Sequence, residues 1–346
     1  MPDSRFTGVR ELAIGGMAII ERAIMHGPHG FEKDVVLKRL RPELADQPAL
    51  VAAFAAEARL GARVDHPNIA HVYELIDDHG RLAVVMELVR GWELRQLLDA
   101  ARRTGTPFPF DAVATIASAV AAALHHVHEL ADDGRPLGFI HRDVSPSNVM
   151  VTAEGGVKLL DFGIAKAASS ADHTQIGLVK GTTAYMSPEQ CLQSRLDRRS
   201  DIFALGASMY EMATLTQPFA RAGDGDQTVM ERIVRATCAP PTALAPDCAP
   251  ELEAVILRAL APARELRFAD ALELEQAVEA VAAAHGVPLS PVRLARFAGD
   301  LMRREPPRLP VDDPDSTRIG TFEADTPGAD VPDADADLDG DITEVD

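Results

Sequence analysis

Residues 141–148 read HRDVSPSN, and residues 157–163 read VKLLDFG. Asp143 and Asn148 lie five residues apart in the first stretch, whose proline stops a helix. Asp161 follows a short apolar strand and precedes a glycine turn. Oxygen ligands on loops at strand ends suit Mg²⁺, which takes one or two protein carboxylates besides waters and phosphate oxygens. Each stretch alone is a common turn sequence, but their order and spacing together predict a site for Mg²⁺ and phosphate.

Two charged residues earlier in the chain occupy positions where apolar side chains are expected. Lys38 ends the strand-like run VVL and shares a face with Val36. Glu57 falls in the middle of the apolar stripe that a helix over residues 48–64 would carry. The stripe consists of Leu50, Phe54, Gly61 and Val64. A lysine that reaches water and a carboxylate at the helix rim would explain each residue separately. Two misplaced charges of opposite sign predict instead that Lys38 and Glu57 form an ion pair.

The apolar residues divide the chain into a strand-rich part and a helical part. The first ninety residues contain short runs rich in Val, Ile and Leu, separated by turn signals such as HGPHG and DDHG. These runs are RELAI, AIIERAI, DVVLKRL, AHVYELID and RLAVVMEL. Ala- and Leu-rich stretches then predict helices at 93–103, 111–130, 201–215, 250–261 and 269–284. The pattern predicts an α+β fold with a small antiparallel-sheet lobe, interrupted by one helix, and a larger helical lobe.

The ordered motifs resemble those of the eukaryotic-like (Hanks-type) serine/threonine protein kinases of bacteria. The resemblance covers about residues 6–285. Its motifs are VVLK with Lys38, FAAEARL with Glu57, HRDVSPSN, DFG, GTTAYMSPE at 181–189, DIFALG at 201–206 and ELRF with Arg267. The resemblance implies a bilobal protein-kinase-like fold, with an N-lobe over about 6–89 and a C-lobe over about 90–285.

The resemblance implies ATP-dependent transfer of a phosphoryl group to serine or threonine hydroxyls of protein substrates, with Mg²⁺ as the metal or Mn²⁺ in its place. Asp143 would accept the proton of the substrate hydroxyl, and Thr182 would help to position that hydroxyl. The residues implied in catalysis are Asp143, Lys38, Glu57, Asn148 and Asp161, of which Asn148 and Asp161 hold the metal. Those implied in nucleotide binding are Ile14, Gly15, Gly16, Ile20, Val36, Lys38, Met86, Glu87 and Val89.

The resemblance also implies scaffold and regulatory residues. Glu189 and Arg267 would form a structural ion pair, and Asp201 would brace the loop that carries Asp143. Arg142 precedes that aspartate, an arrangement that goes with activation by a phosphate on the loop between Asp161 and Glu189. The candidate acceptors on that loop are Ser169, Ser170, Thr174 and Thr183. We expect autophosphorylation at Thr174 or Thr183, with self-association of two chains as the route for transfer in trans.

The chain departs from the family pattern at two places. A G-x-G-x-x-G template over residues 13–18 finds only its middle glycine, Gly15, which predicts weaker nucleotide binding. Ser145 stands where most such kinases carry lysine, and loss of that cation costs on the order of 3 kcal/mol, or ~10²-fold in rate. A pseudokinase that acts as a nucleotide-binding or scaffolding module is therefore the rival hypothesis. A small-molecule phosphotransferase is a third, against which the GTTAYMSPE segment argues.

Composition and charge exclude several classes of protein. The 346 residues carry 53 acidic and 34 basic side chains, and the net charge of −19 argues against a general binder of nucleic acid or of an anionic membrane. The three cysteines form no CxxC pair and predict neither a disulfide framework nor a zinc site. The N-terminus lacks the apolar stretch of a signal peptide, and the longest apolar run, 112–124, predicts a buried helix and no membrane span. We therefore expect a cytoplasmic protein.

The C-terminal region differs in composition from the rest of the chain. Residues 286–305 predict a terminal helical extension, whereas 306–346 carry 13 acids and two arginines, with prolines throughout and no apolar periodicity. This last segment predicts a disordered acidic tail. The stretch DADLDGDITEVD at 335–346 matches the spacing of a calcium-binding loop. Pro332 before it and the abundance of aspartate throughout the tail favour a solvated segment without calcium.

Overall fold

The computed structural model describes residues 5–78, 80–162 and 182–304. The N-terminal lobe is built on one antiparallel sheet. Its strands are β1 (Phe6–Ile14), β2 (Ala18–His26), β3 (Glu32–Leu40), β4 (Val72–Asp78) and β5 (Arg81–Glu87). They pair in the order β1-β2-β3-β5-β4. All the predicted apolar runs therefore form strands of this sheet, as expected of β-branched residues on a half-buried pleated surface.

The helix α1 (Pro48–Gly61) joins β3 to β4 and packs against the sheet. Its proline lies in the first turn, where no intrahelical donor is lost. Leu50 and Phe54 of this helix are buried in a cluster with Leu40 of β3. Glu57 is buried on the same side. The buried stripe with a carboxylate in its middle is thus present in α1, but the helix ends at Gly61 and not at 64, so Val64 lies beyond it and packs in the core cluster of the C-terminal lobe.

The C-terminal lobe is helical, with one long helix at its centre. Its helices are α2 (Leu94–Thr104), α3 (Phe110–His128), α4 (Pro188–Cys191), α5 (Arg199–Thr214), α6 (Asp226–Arg235), α7 (Pro241–Leu244), α8 (Pro250–Ala259), α9 (Ala271–Ala284) and α10 (Pro291–Arg304). The alanines of α3 let α5 and α9 approach it closely. By length and composition α3 could cross a membrane, but most of it is buried by the rest of the protein, as in a core helix.

Short strands complete the C-terminal lobe. They are β6 (Gly91–Glu93), β7 (Ala131–Asp132), β8 (Arg135–Pro136), β9 (Val149–Thr152) and β10 (Val157–Leu159). β10, β9 and β6 form one sheet in that order. The loop after α1 joins this sheet, because Leu159 donates its N–H to the carbonyl of Asn68 at 2.8 Å and Ala70 donates to the carbonyl of Leu159 at 3.0 Å. These bonds attach the C-terminal lobe to the N-terminal one directly beside Asp161.

The structure also shows what the sequence did not predict. The β7–β8 hairpin was not expected, because its strands are two residues long and polar, and α6 was missed although its buried residues Val229 and Ile233 have helical spacing. The helix α10 lies within the predicted extension 286–305. Residues 163–181, the acidic tail and its calcium-like stretch lie outside the described residues.

Candidate active site

Lys38 lies between two carboxylates at the boundary of the lobes. Its Nζ is 2.8 Å from Oε1 of Glu57 and 2.9 Å from Oδ1 of Asp161. The side chains of Lys38 and Glu57 are 13% and 11% exposed, and that of Asp161 is 35% exposed. Burial by itself would lower the pKa of Lys38, but the charges and hydrogen bonds of Asp161 and Glu57 outweigh it and raise that pKa above its usual value. The ammonium group therefore stays charged, and the pair expected from the sequence is present.

The loop 141–148 places Asp143 and Asn148 side by side. Nδ2 of Asn148 donates to Oδ2 of Asp143 at 2.6 Å and to the backbone carbonyl of the same residue at 2.8 Å. Because these bonds use the amide nitrogen, the amide oxygen of Asn148 is left as a ligand for a cation. The N–H of Leu160 donates to the carbonyl of Asn148 at 2.8 Å. This bond ties the loop to the residue that precedes Asp161.

A buried aspartate of α5 braces this loop. Asp201 accepts hydrogen bonds of 2.8 Å from the backbone N–H groups of His141 and Arg142. Its Oδ2 also accepts a bond of 2.8 Å from Nε2 of His128. Burial would raise the pKa of Asp201, but the bonds and charges of His128 and His141 lower it below its usual value. An ionised Asp201 therefore holds Arg142 in the left-handed backbone conformation, with φ at 68°.

Phe162 determines the direction in which Asp161 points. The phenyl ring is buried and lies edge-on to Phe139, with 5.5 Å between the ring centres. It also contacts the ring of His141 at 5.4 Å. Because Phe162 is packed against the C-terminal lobe, the preceding carboxylate is directed toward Lys38.

An apolar cluster next to Lys38 spans both lobes. Its buried members are Val36, Ala70, Met86 and Val89, and Leu12, Ile20, Val72, Leu88, Met150 and Leu160 pack against them. It includes the predicted nucleotide-binding residues Ile20, Val36, Met86 and Val89. Five members of the cluster were not predicted from the sequence: Leu12, Ala70, Val72, Met150 and Leu160. A signal was present for the last two, because Met150 lies two residues after Asn148 on a strand and Leu160 directly precedes Asp161.

The other predicted nucleotide-binding residues lie outside this cluster. Gly15 and Gly16 form the turn between β1 and β2, where the N–H of Gly15 donates to the carbonyl of Ala18 at 2.8 Å. Ile14 ends β1 and is 49% exposed. The carboxylate of Glu87 accepts a bond of 3.0 Å from Lys158. The side chain of Glu87 therefore forms an ion pair with Lys158 of the C-terminal lobe.

A second ion pair lies deep in the C-terminal lobe. Nη1 and Nη2 of Arg267 donate to the two carboxylate oxygens of Glu189 at 2.7 and 3.0 Å. The side chains are 0% and 7% exposed. The hydroxyl of Ser200 donates to the same carboxylate at 2.7 Å, and Arg267 donates further to three backbone carbonyls. Burial would raise the pKa of Glu189, but the hydrogen bonds of Arg267 and Ser200 lower it. The pair predicted as structural is present.

The structure argues against one of the two predicted phosphorylation sites. Thr183 is 2% exposed, and its hydroxyl donates to Oδ1 of Asp226 at 3.0 Å. A phosphate there would displace this bond and face a carboxylate, so Thr183 is not an acceptor in this conformation. Ser169, Ser170 and Thr174 lie outside the described residues, as does the side chain of Thr182.

Comparison with known proteins identifies relatives of this chain. The family model described as protein kinase domain matches residues 10–280. The chain is 43% identical over 279 residues to the tyrosine-protein kinase MasK of Myxococcus xanthus, covering 79% of this chain and 43% of that protein. It is 37% identical over 268 residues to the serine/threonine-protein kinase PknB of Mycobacterium leprae, covering 76% and 40%. The chain thus spans about two fifths of the length of these relatives.

A solved structure shows the same architecture. The kinase domain of PknI from Mycobacterium tuberculosis, in a crystal structure of a point mutant, aligns with a TM-score of 0.60 at 27% sequence identity. The alignment covers 82% of this chain and 98% of that domain. The bilobal α+β architecture predicted from the sequence is thus confirmed.

Proposed function

Since this chain belongs to the protein kinase domain family, we propose that it transfers the γ-phosphoryl group of ATP to serine or threonine hydroxyls of proteins. One observation carries the proposal: Lys38 is held between Glu57 and Asp161 at 2.8 and 2.9 Å. Lys38 bridges Glu57 of α1 and the proposed metal ligand Asp161. A lysine in this position can bind phosphate oxygens next to the metal. The same arrangement gives a purely scaffolding protein no advantage, because burial of the charges of Lys38 and Glu57 is costly.

Phosphoryl transfer needs a base, and Asp143 fits this role. The substrate hydroxyl loses its proton to the Asp143 carboxylate as its oxygen forms a bond to the γ-phosphorus, while the bond from that phosphorus to the bridging oxygen breaks and ADP leaves. The hydrogen bond from Asn148 holds the carboxylate in place at 2.6 Å. Lys38 binds the α- and β-phosphates, and Glu57 keeps its ammonium group directed into the cleft.

The residues at the site fit a divalent cation. The amide oxygen of Asn148 and the carboxylate of Asp161 are hard oxygen ligands, few in number, as Mg²⁺ requires; Mn²⁺ would be accepted in its place. When bound, the cation neutralises charge that develops on the transferred phosphoryl group. The contribution of the chain is to hold both ligands on one short hairpin, through the bond between Leu160 and the carbonyl of Asn148.

The adenine ring is assigned to the apolar cluster that spans the lobes. The N-terminal lobe contributes Val36 and Met86 to this cluster, and the C-terminal lobe contributes Met150 and Leu160, so a flat ring between the lobes would meet apolar side chains from both. Two apolar faces at a flat ring exclude water and leave the ring edge to backbone groups near Val89. The turn at Gly15 and Gly16 would lie over the phosphates.

Serine/threonine acceptance is supported by the sequences Ser145-Pro146 and Gly181-Thr182, and by relatives such as PknB that are named serine/threonine kinases. The name of MasK makes tyrosine the alternative acceptor.

We further propose that Arg142 binds a phosphate on the loop 163–181, with Thr174 as the acceptor. In this scheme two cytoplasmic chains associate for transfer in trans.

The deciding experiment is incubation of the purified chain with Mg²⁺ and γ-labelled ATP beside Asp143→Asn. We expect label on the wild type and a rate about 10³-fold lower in the variant, because loss of a general base costs about that much. Hydrolysis and phosphoamino-acid analysis then identify the acceptor. Label on tyrosine alone would contradict the proposed acceptor class. No label on any protein, although nucleotide still stabilises the fold, would establish the pseudokinase.

A further inference from the structure

The helix α10 lies beyond residue 280, where the family match ends, yet it is packed like a core element. Leu294, Ala298 and Leu301 are each no more than 1% exposed. The ring of Phe297 meets that of Phe108 edge-on, with 5.0 Å between the ring centres. The helix is therefore an integral part of the folded kinase domain.

The first turn of α10 meets the tip of the β9–β10 hairpin. Gly155 at this tip has a φ of +84°. A Cβ atom on Gly155 would overlap the carbonyl oxygen of Pro291 and would lie 2.9 Å from the nitrogen of Ala295. The N–H of Gly155 donates to the carbonyl of Thr152 at 2.9 Å, so the tip is held in a closed turn. Backbone thus packs on backbone at this contact, and neither side has a flexible side chain to yield.

The other end of the hairpin carries the two proposed metal ligands. β9 begins directly after Asn148, and β10 ends shortly before Asp161. Val149 pairs with Leu159 at this end, and the N–H of Leu160 donates to the carbonyl of Asn148 at 2.8 Å. The strands are only four and three residues long. A shift of the tip therefore moves both ligands, because so short a hairpin behaves as one stiff unit.

The helix α10 is itself anchored to the core of the lobe. Arg293 forms an ion pair with Asp111 at the start of α3. The N–H of Ser290 donates to Oγ1 of Thr115 on the same helix at 3.3 Å. α3 packs in turn against α5, which carries Asp201. The first turn of α10 therefore has a fixed place relative to the loop that Asp201 braces.

We propose that α10 is a positioning element of the metal site: it holds the β9–β10 hairpin at its tip and thereby sets where Asn148 and Asp161 lie. The inference rests on the proposed function, because it takes these two residues as ligands of Mg²⁺. The helix acts on the ligands only through the hairpin.

The test compares Gly155→Ala with Gly134→Ala in the full chain. Gly155→Ala places a methyl group against α10. Gly134 also has a positive φ, +77°, but a Cβ atom there would meet no described atom within 4 Å, so its variant carries the backbone strain without the collision. We expect the half-saturating concentration of Mg²⁺ in the transfer assay to rise about tenfold in Gly155→Ala, the usual cost of disturbing the support of a metal ligand. Gly134→Ala should stay within about twofold of the wild type.

Two measurements without turnover accompany the assay. Calorimetric titration of Mg²⁺ into the chain with ADP should show the same tenfold weakening in Gly155→Ala, by the same loss of support. Trp92 is the one tryptophan of the sequence and pairs with Val151 of β9. Its emission maximum should therefore shift in Gly155→Ala and stay unchanged in Gly134→Ala.

Several outcomes would overturn the inference. A lower melting temperature of Gly155→Ala with an unchanged Mg²⁺ requirement would leave α10 a purely structural role. Equal effects in both glycine variants would mean that backbone strain causes them, and not the collision with α10. If Gly155→Ala does not fold, Arg293→Ala replaces it, with Arg303→Ala as control because Arg303 pairs within α10, with Asp300. Absence of transfer in the wild type would reject the proposed function, while the titration with Mg²⁺ and ADP would still decide the role of α10.

Discussion

Two of the ion pairs of the kinase domain, Glu189 with Arg267 and Lys38 with its carboxylates, differ in how their surroundings hold them. Glu189 and Arg267 lie inside one lobe, are almost unexposed, and are held by a hydroxyl and backbone carbonyls besides each other. Lys38 and its two carboxylates come from three elements at the boundary of the lobes, and Asp161 is 35% exposed. The first arrangement has every charge satisfied within the protein.

This difference distinguishes an ion pair that stabilises the fold from one that can take part in the reaction. A pair whose partners are fixed on all sides cannot exchange one of them for a ligand, so Arg267 stabilises the fold. A lysine whose partners lie in an open cleft can bind phosphate oxygens when nucleotide enters. Removal of a charge should therefore affect stability at the first pair and rate at the second.

The largest effect is expected for Arg267→Met. The variant leaves the Glu189 carboxylate buried without its cation, which costs about 3–5 kcal/mol of the free energy of unfolding. Urea denaturation measures this loss. The double variant Glu189→Leu, Arg267→Met should regain much of it, since no charge is then left unpaired. A loss below about 1 kcal/mol would place this pair among the weak surface pairs and contradict the comparison.

Lys38→Met should act on rate instead. We expect the transfer rate to fall about 10²- to 10³-fold, the usual cost of removing one charge that stabilises a transition state. The free energy of unfolding should fall less than in Arg267→Met, because Asp161 is 35% exposed and reaches water through the cleft, although Glu57 is buried. Lys158→Met is the matched control: it also removes a lysine from an ion pair, with Glu87 at 3.0 Å. If Lys158→Met lost as much rate as Lys38→Met, the loss would come from removing any lysine charge near the cleft and not from the position of Lys38.

Glu93 offers a third case, a buried carboxylate at the start of α2. Burial raises its pKa to about 7 from 4.5. Between these values the folded chain keeps a proton that the unfolded chain has released, so stability falls as pH rises through this window. The wild type should lose about 2 kcal/mol from this group between pH 5 and pH 8. Glu93→Gln should lack this loss in urea titrations at the two pH values, and equal pH dependence in both proteins would disprove the assignment.

The smallest effect is expected for Glu57→Gln. The amide oxygen can still accept the hydrogen bond from Lys38, and Asp161 still supplies a negative charge, so the rate should fall only about tenfold, equivalent to 1.4 kcal/mol. Measured kcat and KM for ATP should show the change. A loss as large as that in Lys38→Met would mean that the two residues act as one unit, and that Asp161 does not compensate.

Much of the fold could be predicted because its signals are local. Runs rich in Val, Ile and Leu between turn signals predicted the five strands of the N-terminal sheet, and the stripe around Glu57 predicted α1. The predicted helices of the C-terminal lobe all form. The β7–β8 hairpin was missed because two-residue strands are defined by their pairing, which no periodicity reveals.

The site was predicted less evenly. Lys38 and Glu57 stand out as charges in an apolar setting, so the sequence pattern identified them, whereas Asp201 was identified by the resemblance to the kinase family. The apolar residues of the cleft, Met150 and Leu160 among them, look like ordinary strand residues until the two lobes come together. Thr183 seemed a surface hydroxyl because loops are polar, but its bond to Asp226 buries it.

The sequence by itself determined the chemistry of this protein: which side chains can donate protons, bind phosphate or hold a cation, in which order, and on which kind of element. The tertiary structure alone decided which of them meet. Asp161 follows Lys38 by more than a hundred residues and Arg267 follows Glu189 by nearly eighty, and contacts over such separations depend on how the elements pack. The same packing decided which charges are shielded from water, and hence which ones support the fold and which remain open to a substrate.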